Sequence, residues 1–305
     1  MGTSRRNFLN AIPLLAAAPL LSAKGETQQQ PVSAEWDHLK LSLNAYSFND
    51  MLVKKQISKQ EVLVFCAKTG FAAVDMTGYY FSTYPATPSD HEIFDFKRKA
   101  HELGLEISGT GVRNEFSHAG SAALEKEIDL VKRWIEVAAK LGAPVLRIFT
   151  AKTYSTGEER KRVTERIQYA LYHCLHAAAS SGVILGIQNH NDYLRTAAEC
   201  HELIQPFNSP WLGLVLDTGT FVSPEPYTEI SKATPLAINW QLKEKLIIDG
   251  KQTLMDLPRL CKIIRECGYR GNVPIETLGL NDPINEVPVF LDKVRKAFSG
   301  LNQFT

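Results

Sequence analysis

Short apolar segments that each end in a polar residue recur along the chain, and this repeat restricts the possible folds more than any other feature. In the clearest case, residues 183–187 (VILGI) lead directly into Gln188, Asn189 and His190. Three later segments have the same design: residues 212–216 precede Asp217, residues 236–240 precede Gln241 and Lys243, and residues 273–275 precede Glu276. Because helical patterns separate these strands, the sequence predicts a parallel barrel with its site at the C-terminal face.

The length of the chain suits one such barrel. A typical (β/α)8 barrel needs about 250 residues, and the 305 residues of the chain leave room for a leader. Strand-like and helix-like segments alternate through residues 37–300 without a linker-like stretch. One helix is marked by a capping box of Ser58 and Glu61 at its start and by Gly70 at its end. We therefore predict an α/β fold, a single-domain (β/α)8 TIM barrel over residues 37–300.

The N-terminal residues have the pattern of an export signal. A pair of arginines at positions 5–6 precedes Phe8 and an apolar run at residues 11–21. This order is typical of a twin-arginine signal peptide, and the run is shorter than the about 20 residues of a membrane span, which disfavours an anchored helix. We predict a cleaved signal peptide at residues 1–23 and a disordered leash at residues 24–36. The protein is then periplasmic or secreted through the twin-arginine export machinery.

Charge and cysteine content disfavour two classes of protein. The formal net charge is +1 at pH 7, without the basic excess of a nucleic-acid-binding protein. The five cysteines are odd in number and have no metal-ligand spacing, so a disulfide scaffold is not expected. We therefore expect a small-molecule ligand and no nucleic-acid partner.

Two carboxylates at strand ends form the centre of the predicted site. Asp217 and Glu276 end the sixth and eighth predicted strands, where side chains converge across the mouth of a barrel. With the amides of Gln188 and Gln241, they form a candidate site for a divalent cation. A single strand-end carboxylate is more often bonded to a neighbouring loop backbone, but the coincidence of several polar strand ends favours a functional site.

Several groups in the same region can move a proton or stabilise an oxyanion. Glu276 or His190 can take up a proton, and Lys243 and Arg147 can stabilise a negatively charged oxygen. We therefore predict Glu276, His190 and Lys243 as the catalytic residues. Two alternatives stay open: a neutral His190 that is hydrogen-bonded to a backbone carbonyl, and a Lys243 that only neutralises Asp217 or Glu276.

Further polar and aromatic residues near the strand ends are candidates for binding the substrate. They are Asn44, Tyr46, Arg113, Arg147, Asn189 and Trp240. Arg147 lies within an apolar strand, so we expect it to pair with a barrel carboxylate or to contact the substrate, since an isolated buried charge is costly. The aromatic loop at residues 79–84 is either a self-packed surface loop or a platform for a sugar ring. It also leaves open a homo-oligomer in which the loop covers a neighbouring site.

Seven short motifs occur in an order that is typical of one family. They are NAYSF at residues 44–48, GFAAVD at 70–75, LRIF at 146–149, NH at 189–190, LDTG at 216–219, QLK at 241–243 and IETLG at 275–279. None is specific alone, but in this order they resemble the xylose-isomerase-like TIM-barrel family of sugar (phosphate) isomerases and epimerases. The resemblance extends over about residues 38–298.

The resemblance implies a metal-dependent proton transfer. The family holds Mn, Co, Mg or Zn with a Glu, an Asp, a His and a Glu at the ends of strands five to eight, and the two Glu residues act as acid and base through an enediolate. Asp217 and Glu276 match this set, whereas Gln188 and Gln241 stand where the first Glu and the His are usual. Ligation by oxygen alone disfavours zinc, so Mn, Mg or Co is the predicted cofactor. Gln188 cannot accept a proton, so a one-base reaction is favoured.

These residues leave several functions open. The first hypothesis is a divalent-metal-dependent isomerase or epimerase of carbohydrate metabolism that acts on a non-phosphorylated sugar or keto-sugar, since sugar phosphates are cytoplasmic. The second is a lyase that expels the aglycone of a 3-keto-glycoside by 1,2-elimination, which needs one base. The third is a barrel that binds a sugar or a partner without catalysis. The endonuclease branch of the fold is disfavoured, because it requires more metal ligands and a basic groove.

Overall fold

The computed structural model describes residues 39–190, 192–278 and 282–300. The predicted signal peptide at residues 1–23 and the leash at residues 24–36 lie outside these ranges. Among the helices that the structure describes, none is both long and apolar enough to cross a membrane.

Eight parallel strands close into a barrel, which confirms the predicted (β/α)8 fold. In the described part of the chain the strands are β1 (Lys40–Asn44), β2 (Ala73–Asp75), β3 (Glu106–Gly111), β4 (Val145–Ile148), β5 (Ile184–Gln188), β6 (Leu212–Asp217), β7 (Ala237–Lys243), β8 (Lys245–Ile248), β9 (Lys251–Leu254) and β10 (Asn272–Glu276). The barrel order is β1-β10-β7-β6-β5-β4-β3-β2, and β8 and β9 form a separate two-stranded sheet. Parallel pairing brings the C-terminal ends of all barrel strands to one mouth.

Helices follow the strands and cover the outside of the barrel. Over the described ranges they are α1 (Asn49–Val53), α2 (Lys59–Thr69), α3 (Asp90–Glu102), α4 (Ser121–Leu141), α5 (Gly157–Ser181), α6 (Ala197–Ile204), α7 (Pro226–Ala233), α8 (Leu257–Glu266) and α9 (Pro283–Gly300). Large apolar side chains on these helices, among them Phe96, Trp134 and Phe290, are buried in one continuous core. Burial of this apolar area is the main contribution to the stability of the fold.

The ends of α2 are set by local sequence signals, as predicted. The backbone N–H of Glu61 donates a hydrogen bond to Oγ of Ser58, and the carboxylate of Glu61 accepts one from the backbone N–H of Ser58. Each bond satisfies an N–H group that has no partner within the helix. Gly70 ends the helix with a φ of 84°, a left-handed conformation that glycine adopts without steric strain.

The short helix α1, the helix α7 and the β8-β9 hairpin were not specified by the sequence analysis. α7 is a short helix that starts at Pro226, and the β8-β9 hairpin follows β7 directly. The hairpin turns at Asp249 and Gly250, whose φ values are 49° and 74°. An Asp-Gly pair with positive φ is typical of a tight hairpin turn, so the signal for this element is present in the chain.

Glycines on the inner face of the barrel make room for large neighbouring side chains. A β carbon on Gly213 would lie 2.4 Å from Cγ2 of Ile238 and 3.0 Å from the backbone oxygen of Leu236. A β carbon on Gly186 would lie 2.5 Å from Cγ2 of Val215. The distances to Ile238 and Val215 are far shorter than van der Waals contact. The interior below the mouth is therefore a packed core and not a pore.

Gly213→Ala should destabilise the barrel, because the added methyl group overlaps Ile238 and the backbone of Leu236. Overpacking a core typically costs about 1–3 kcal/mol. We expect the free energy of unfolding to fall by an amount at the upper end of this range, measured by urea denaturation. Gly120→Ala is the control, because nothing lies within 4 Å of a β carbon there. It should lose less than about 1 kcal/mol, the effect of an N-cap change. Equal stability of the two variants would contradict the packing argument.

Candidate active site

The C-terminal mouth of the barrel encloses a cavity of about 620 Å³, which is the size of a site for a small organic ligand. Most of the predicted site residues line it: Asn44, Tyr46, Arg113, Arg147, Gln188, His190, Asp217, Gln241, Lys243 and Glu276. Asn189 and Trp240 are the two exceptions. The structure thus brings together side chains from seven of the segments that the sequence analysis singled out.

The floor of the cavity is an ion network centred on Lys243. Its Nζ contacts Oε1 of Glu276 and lies 3.5 Å from Oδ2 of Asp217. The exposed fraction is 0% for Asp217, 1% for Glu276 and 8% for Lys243. The ammonium group therefore joins two carboxylates in a place that water barely reaches, where the attraction between opposite charges is strong.

Two amides and one backbone group complete the network. Nε2 of Gln188 donates a hydrogen bond of 2.7 Å to Oδ2 of Asp217, and Nε2 of Gln241 donates one to Oε2 of Glu276. The backbone N–H of Gly219 donates a bond of 2.9 Å to Oδ1 of Asp217. Every oxygen of the two carboxylates therefore has a donor, as buried charges require.

The register of three adjacent strands sets the spacing of these groups. Along β7, successive side chains point to opposite faces, so Gln241 and Lys243 share the inner face. Asp217 of β6 is paired with Gln241, and Glu276 of β10 is paired with Lys243. The backbone N–H of Lys243 also donates a bond of 3.0 Å to Oγ1 of Thr218. The acid–lysine–acid arrangement is therefore built on strand pairing and not on loops.

Burial and charge act against each other within the network. Burial raises the pKa of Glu276 above its usual value, and the positive charge of Lys243 only partly offsets this. Burial lowers the pKa of Lys243, but the attraction of Asp217 and Glu276 outweighs it and raises that pKa. Lys243 is therefore an ammonium group, and Glu276 binds a proton more readily than an exposed glutamate does. This combination suits proton transfer.

One wall of the cavity consists of arginine side chains and aromatic rings. Arg147 donates hydrogen bonds of 2.7 Å to the backbone oxygen of Val112 and 2.8 Å to the hydroxyl oxygen of Tyr79. Its guanidinium carbon lies 4.3 Å from the ring centroid of Phe149, and that of Arg113 lies 4.8 Å from the ring centroid of Tyr79. These hydrogen bonds and cation–π contacts explain how an arginine is tolerated within the apolar strand β4.

The aromatic loop at residues 79–84 packs partly on itself and partly borders the cavity. Tyr84 is self-packed: its ring lies 5.6 Å from that of Trp134, and its hydroxyl oxygen accepts a bond of 2.8 Å from the backbone N–H of Arg113. Tyr79 lines the cavity. The loop is therefore anchored at one end and presents one aromatic ring to a ligand.

His190 lies just beyond β5, three strands away from β10 in the barrel order. Its Nδ1 lies 2.8 Å from Oδ2 of Asp192, and its side chain is 37% exposed. Its ring packs edge-on against Phe149 at 5.7 Å. The imidazole therefore borders the cavity three strands away from Glu276, with the Asp192 carboxylate within salt-bridge distance of its Nδ1.

Two predicted substrate-binding residues do not line the cavity. Asn189 is fully buried and bonded to the backbone of Asp217: its Nδ2 donates to the oxygen, and its Oδ1 accepts from the N–H, at 2.8 Å each. It positions Asp217 by fixing the end of β6. Trp240 is also fully buried, 6.0 Å from the ring of Tyr269. Because side chains alternate along β7 and Gln241 faces inward, Trp240 faces the helices instead.

Several residues that line the cavity were missed by the sequence analysis. They are Asn114, Phe149, Ala151, Lys152, Asp192, Gly219, Thr220, Glu244, Lys245, Leu246, Ile247, Gln252 and Leu278. Four of them, at positions 245–247 and 252, belong to the β8-β9 hairpin. Recognition of the Asp249-Gly250 turn would have pointed to this group, since it places the hairpin directly after the strand that carries Lys243.

A third buried carboxylate, Asp75, ends β2. A β carbon on Gly109 would lie 2.7 Å from its Oδ2, so the absence of a side chain at Gly109 makes room for the carboxylate. Burial raises the pKa of Asp75 to about 6, the charge of Arg147 opposes this rise and that of Glu276 adds to it. Asp75 therefore titrates close to neutral pH.

The arrangement does not fit the predicted divalent cation. Gln188 and Gln241 turn their NH2 groups, not their oxygens, toward the carboxylates. Rotation of the amides would present oxygen, but the ammonium group of Lys243 would still fill the space between Asp217 and Glu276. Over the described residues, no three His, Cys, Asp or Glu side chains are grouped closely enough to hold a metal ion. The predicted ligand set is therefore not supported as a metal site.

Comparison with known proteins agrees with the fold. The sequence profile of the xylose isomerase-like TIM barrel family matches residues 63–294. D-psicose 3-epimerase with D-tagatose from Clostridium cellulolyticum H10 has a TM-score of 0.70 at 15% identity, over 85% of this chain and 99% of that chain. L-ribulose 3-epimerase has a TM-score of 0.67 at 14% identity, over 88% of this chain and 98% of that chain.

A third solved structure, 3-keto-D-glucoside 4-epimerase from E. coli, has a TM-score of 0.67 at 14% identity, over 85% of this chain and 99% of that chain. No curated protein sequence matches the chain. At these identities the structural likeness concerns the fold.

Asp75→Asn should make the stability of the protein less dependent on pH. The pKa of Asp75 rises from 3.8 to about 6 in the folded state, so its stabilising contribution is fully present below pH 4 and is lost as the pH rises through 6. The neutral amide has no such loss. Relative to the wild type, the variant should gain about 2–3 kcal/mol in free energy of unfolding between pH 4 and pH 8.

Urea denaturation of both proteins at both pH values measures this gain. Groups that do not interact with Asp75 cancel in the comparison. A difference in stability that stays constant from pH 4 to pH 8 would contradict a raised pKa at Asp75.

Proposed function

The chain belongs to the xylose isomerase-like TIM-barrel family, and we propose that it is a sugar isomerase or epimerase that moves a proton next to a carbonyl group. The observation that carries this proposal is the buried carboxylate of Glu276, which Lys243 contacts at the floor of the cavity. A base beside a charged hydrogen-bond donor is what enolisation of a carbonyl compound requires.

We propose a non-phosphorylated sugar as the substrate. Asn44, Gln188 and Gln241 offer hydrogen-bonding groups for sugar hydroxyls, and the ring of Tyr79 offers a face for stacking. The similar structures are epimerases named for D-psicose, L-ribulose and 3-keto-D-glucoside, which supports a substrate of this class. The proposed twin-arginine export to the periplasm agrees with it, because sugar phosphates are cytoplasmic.

In the proposed reaction, a carboxylate oxygen of Glu276 takes the proton from the carbon next to the carbonyl group. The electron pair of that C–H bond forms the double bond of an enediolate, whose new oxyanion accepts a hydrogen bond from the ammonium group of Lys243. Return of the proton to the neighbouring carbon, with a proton shift between the two oxygens, completes an isomerisation. Delivery from the opposite face completes an epimerisation, for which His190 is the candidate donor.

A lyase reaction is the second candidate, and Gln188 favours it. An amide does not take up a proton, so the end of β5 lacks the carboxylate base that the family resemblance implies. Elimination from a 3-keto-glycoside needs one base: Glu276 removes the proton at C2, Lys243 stabilises the oxyanion at C3, and the electron pair then expels the aglycone from C1. Leu246, Ile247 and Leu278 line the cavity and suit an apolar aglycone.

Glu276→Gln should abolish the proton transfer, because the amide keeps the shape of the side chain but does not act as a base. We expect a loss of about 100-fold or more in rate. Incubation with ketoses and 3-keto-glycosides in heavy water, followed by NMR, measures it: deuterium on the carbon next to the carbonyl group indicates isomerisation or epimerisation, and release of the aglycone indicates elimination. Full activity of Glu276→Gln would contradict the assigned role.

Glu266→Gln is the matched control. Glu266 lies on α8, its side chain is 63% exposed, and it is paired only at the surface with Lys262 at 3.7 Å. The same chemical change there should leave the rate unchanged. A wild type that binds these sugars in calorimetry, but neither exchanges deuterium nor releases an aglycone, would instead indicate a sugar-binding barrel without catalysis.

A further inference from the structure

We propose that the ammonium group of Lys243 takes the place of a divalent cation in this barrel, so that the site works without a bound metal ion. The part of this inference that concerns catalysis rests on the proposed function. The part that concerns metal binding rests only on the arrangement of the side chains.

The position of Lys243 is the first argument. Its Nζ contacts Oε1 of Glu276 and lies 3.5 Å from Oδ2 of Asp217. These are the two carboxylates of the predicted ligand set, and each lies on a different strand beside β7. A cation that bound both carboxylates would have to occupy the space that the ammonium group fills, or would lie beside it and be repelled by its charge.

The two amides are the second argument, because they match an ammonium centre better than a metal centre. Nε2 of Gln188 donates to Asp217, and Nε2 of Gln241 donates to Glu276. A glutamate at position 188 would place a like charge at hydrogen-bond distance from Asp217, which a divalent ion compensates and a single ammonium group does not. The neutral amides instead leave two negative charges against one positive charge. The two glutamines and the lysine are therefore all consistent with an ammonium group, and not a metal ion, at the centre of the site.

Buried carboxylates need a counter-charge, and among the residues that the structure describes Lys243 is the cation that forms a salt bridge with both. Asp217 and Glu276 are almost completely buried, and an uncompensated buried charge is strongly destabilising. The lysine ammonium group supplies this charge together with three hydrogen-bond donors. In the proposed reaction one of these donors is directed at the oxyanion, which gives the electrostatic stabilisation that a Lewis acid gives elsewhere.

Metal binding of the purified full chain tests the inference without any activity measurement. Protein prepared without chelator is analysed by plasma mass spectrometry, and Mn²⁺ is then titrated and followed by electron paramagnetic resonance and calorimetry. We expect the wild type to hold far less than one metal ion per chain and to bind Mn²⁺ no better than Asp217→Asn does. One Mn, Mg or Co per chain that is lost in Asp217→Asn and kept in Glu266→Gln would overturn the inference.

Lys243→Met removes the positive charge from the network, so that a gain of metal binding, and not a loss, is the expected result. Removal of the ammonium group leaves Asp217 and Glu276 free to bind a cation, so Mn²⁺ affinity should rise by about tenfold or more, and 1 mM Mn²⁺ should raise the melting temperature of the variant but not of the wild type. The double variant Lys243→Met/Asp217→Asn should lose both gains. A folded Lys243→Met that gains no Mn²⁺ affinity would overturn the inference.

If Lys243→Met does not fold, Lys243→Gln replaces it in the test. This variant also removes the charge but keeps a polar side chain, and the same gain in Mn²⁺ affinity is expected.

Measurements of activity separate this inference from the proposed function. A wild type with sugar-isomerising activity only after addition of Mn²⁺ would overturn the inference and leave the proposed function intact. A wild type that holds no metal and converts none of the tested sugars would contradict the proposed function. It would still support the inference that Lys243 takes the place of a metal ion.

Discussion

The bridge that Lys243 forms between Asp217 and Glu276 is the interaction on which the rest of the site depends. Two carboxylates that are almost fully buried require a counter-charge within a few ångströms. The ammonium group supplies it, and Gln188 and Gln241 satisfy the remaining oxygens. Such a network is held as a unit, because each carboxylate oxygen accepts a hydrogen bond from another member of it. Its chemical consequence is that Glu276, whose pKa burial raises, lies beside the hydrogen-bond donors of an ammonium group.

The barrel explains why this network can exist at the mouth of the cavity. Adjacent strands place Asp217, Lys243 and Glu276 in register, and Asn189 fixes the end of β6 through both backbone groups of Asp217. Below the mouth, Gly186 and Gly213 let branched side chains fill the interior. The site therefore rests on rigid elements, while the aromatic loop and the β8-β9 hairpin supply part of the cavity wall.

The sequence predicted the barrel and ten of the residues that line the cavity, because polar residues at the ends of apolar strands must meet at one mouth. It failed where neighbouring residues along a strand face opposite ways: Asn189 and Trp240 belong to the right segments but turn away from the cavity. It also could not show that Lys243 lies between two carboxylates, because that contact depends on the register of three strands that are distant in sequence. The ligand set for a metal ion was inferred from residue types, which do not reveal whether an amide presents its oxygen or its NH2 group.

The central claim is that an ammonium group, and not a metal ion, joins Asp217 and Glu276. Crystals of the wild type grown with Mn²⁺, with diffraction data collected at the manganese absorption edge, test this claim most directly. The account predicts Nζ of Lys243 in contact with Glu276 and near Asp217, with no anomalous peak between the two carboxylates. A manganese peak bonded to Asp217 and Glu276, with the side chain of Lys243 displaced, would contradict it.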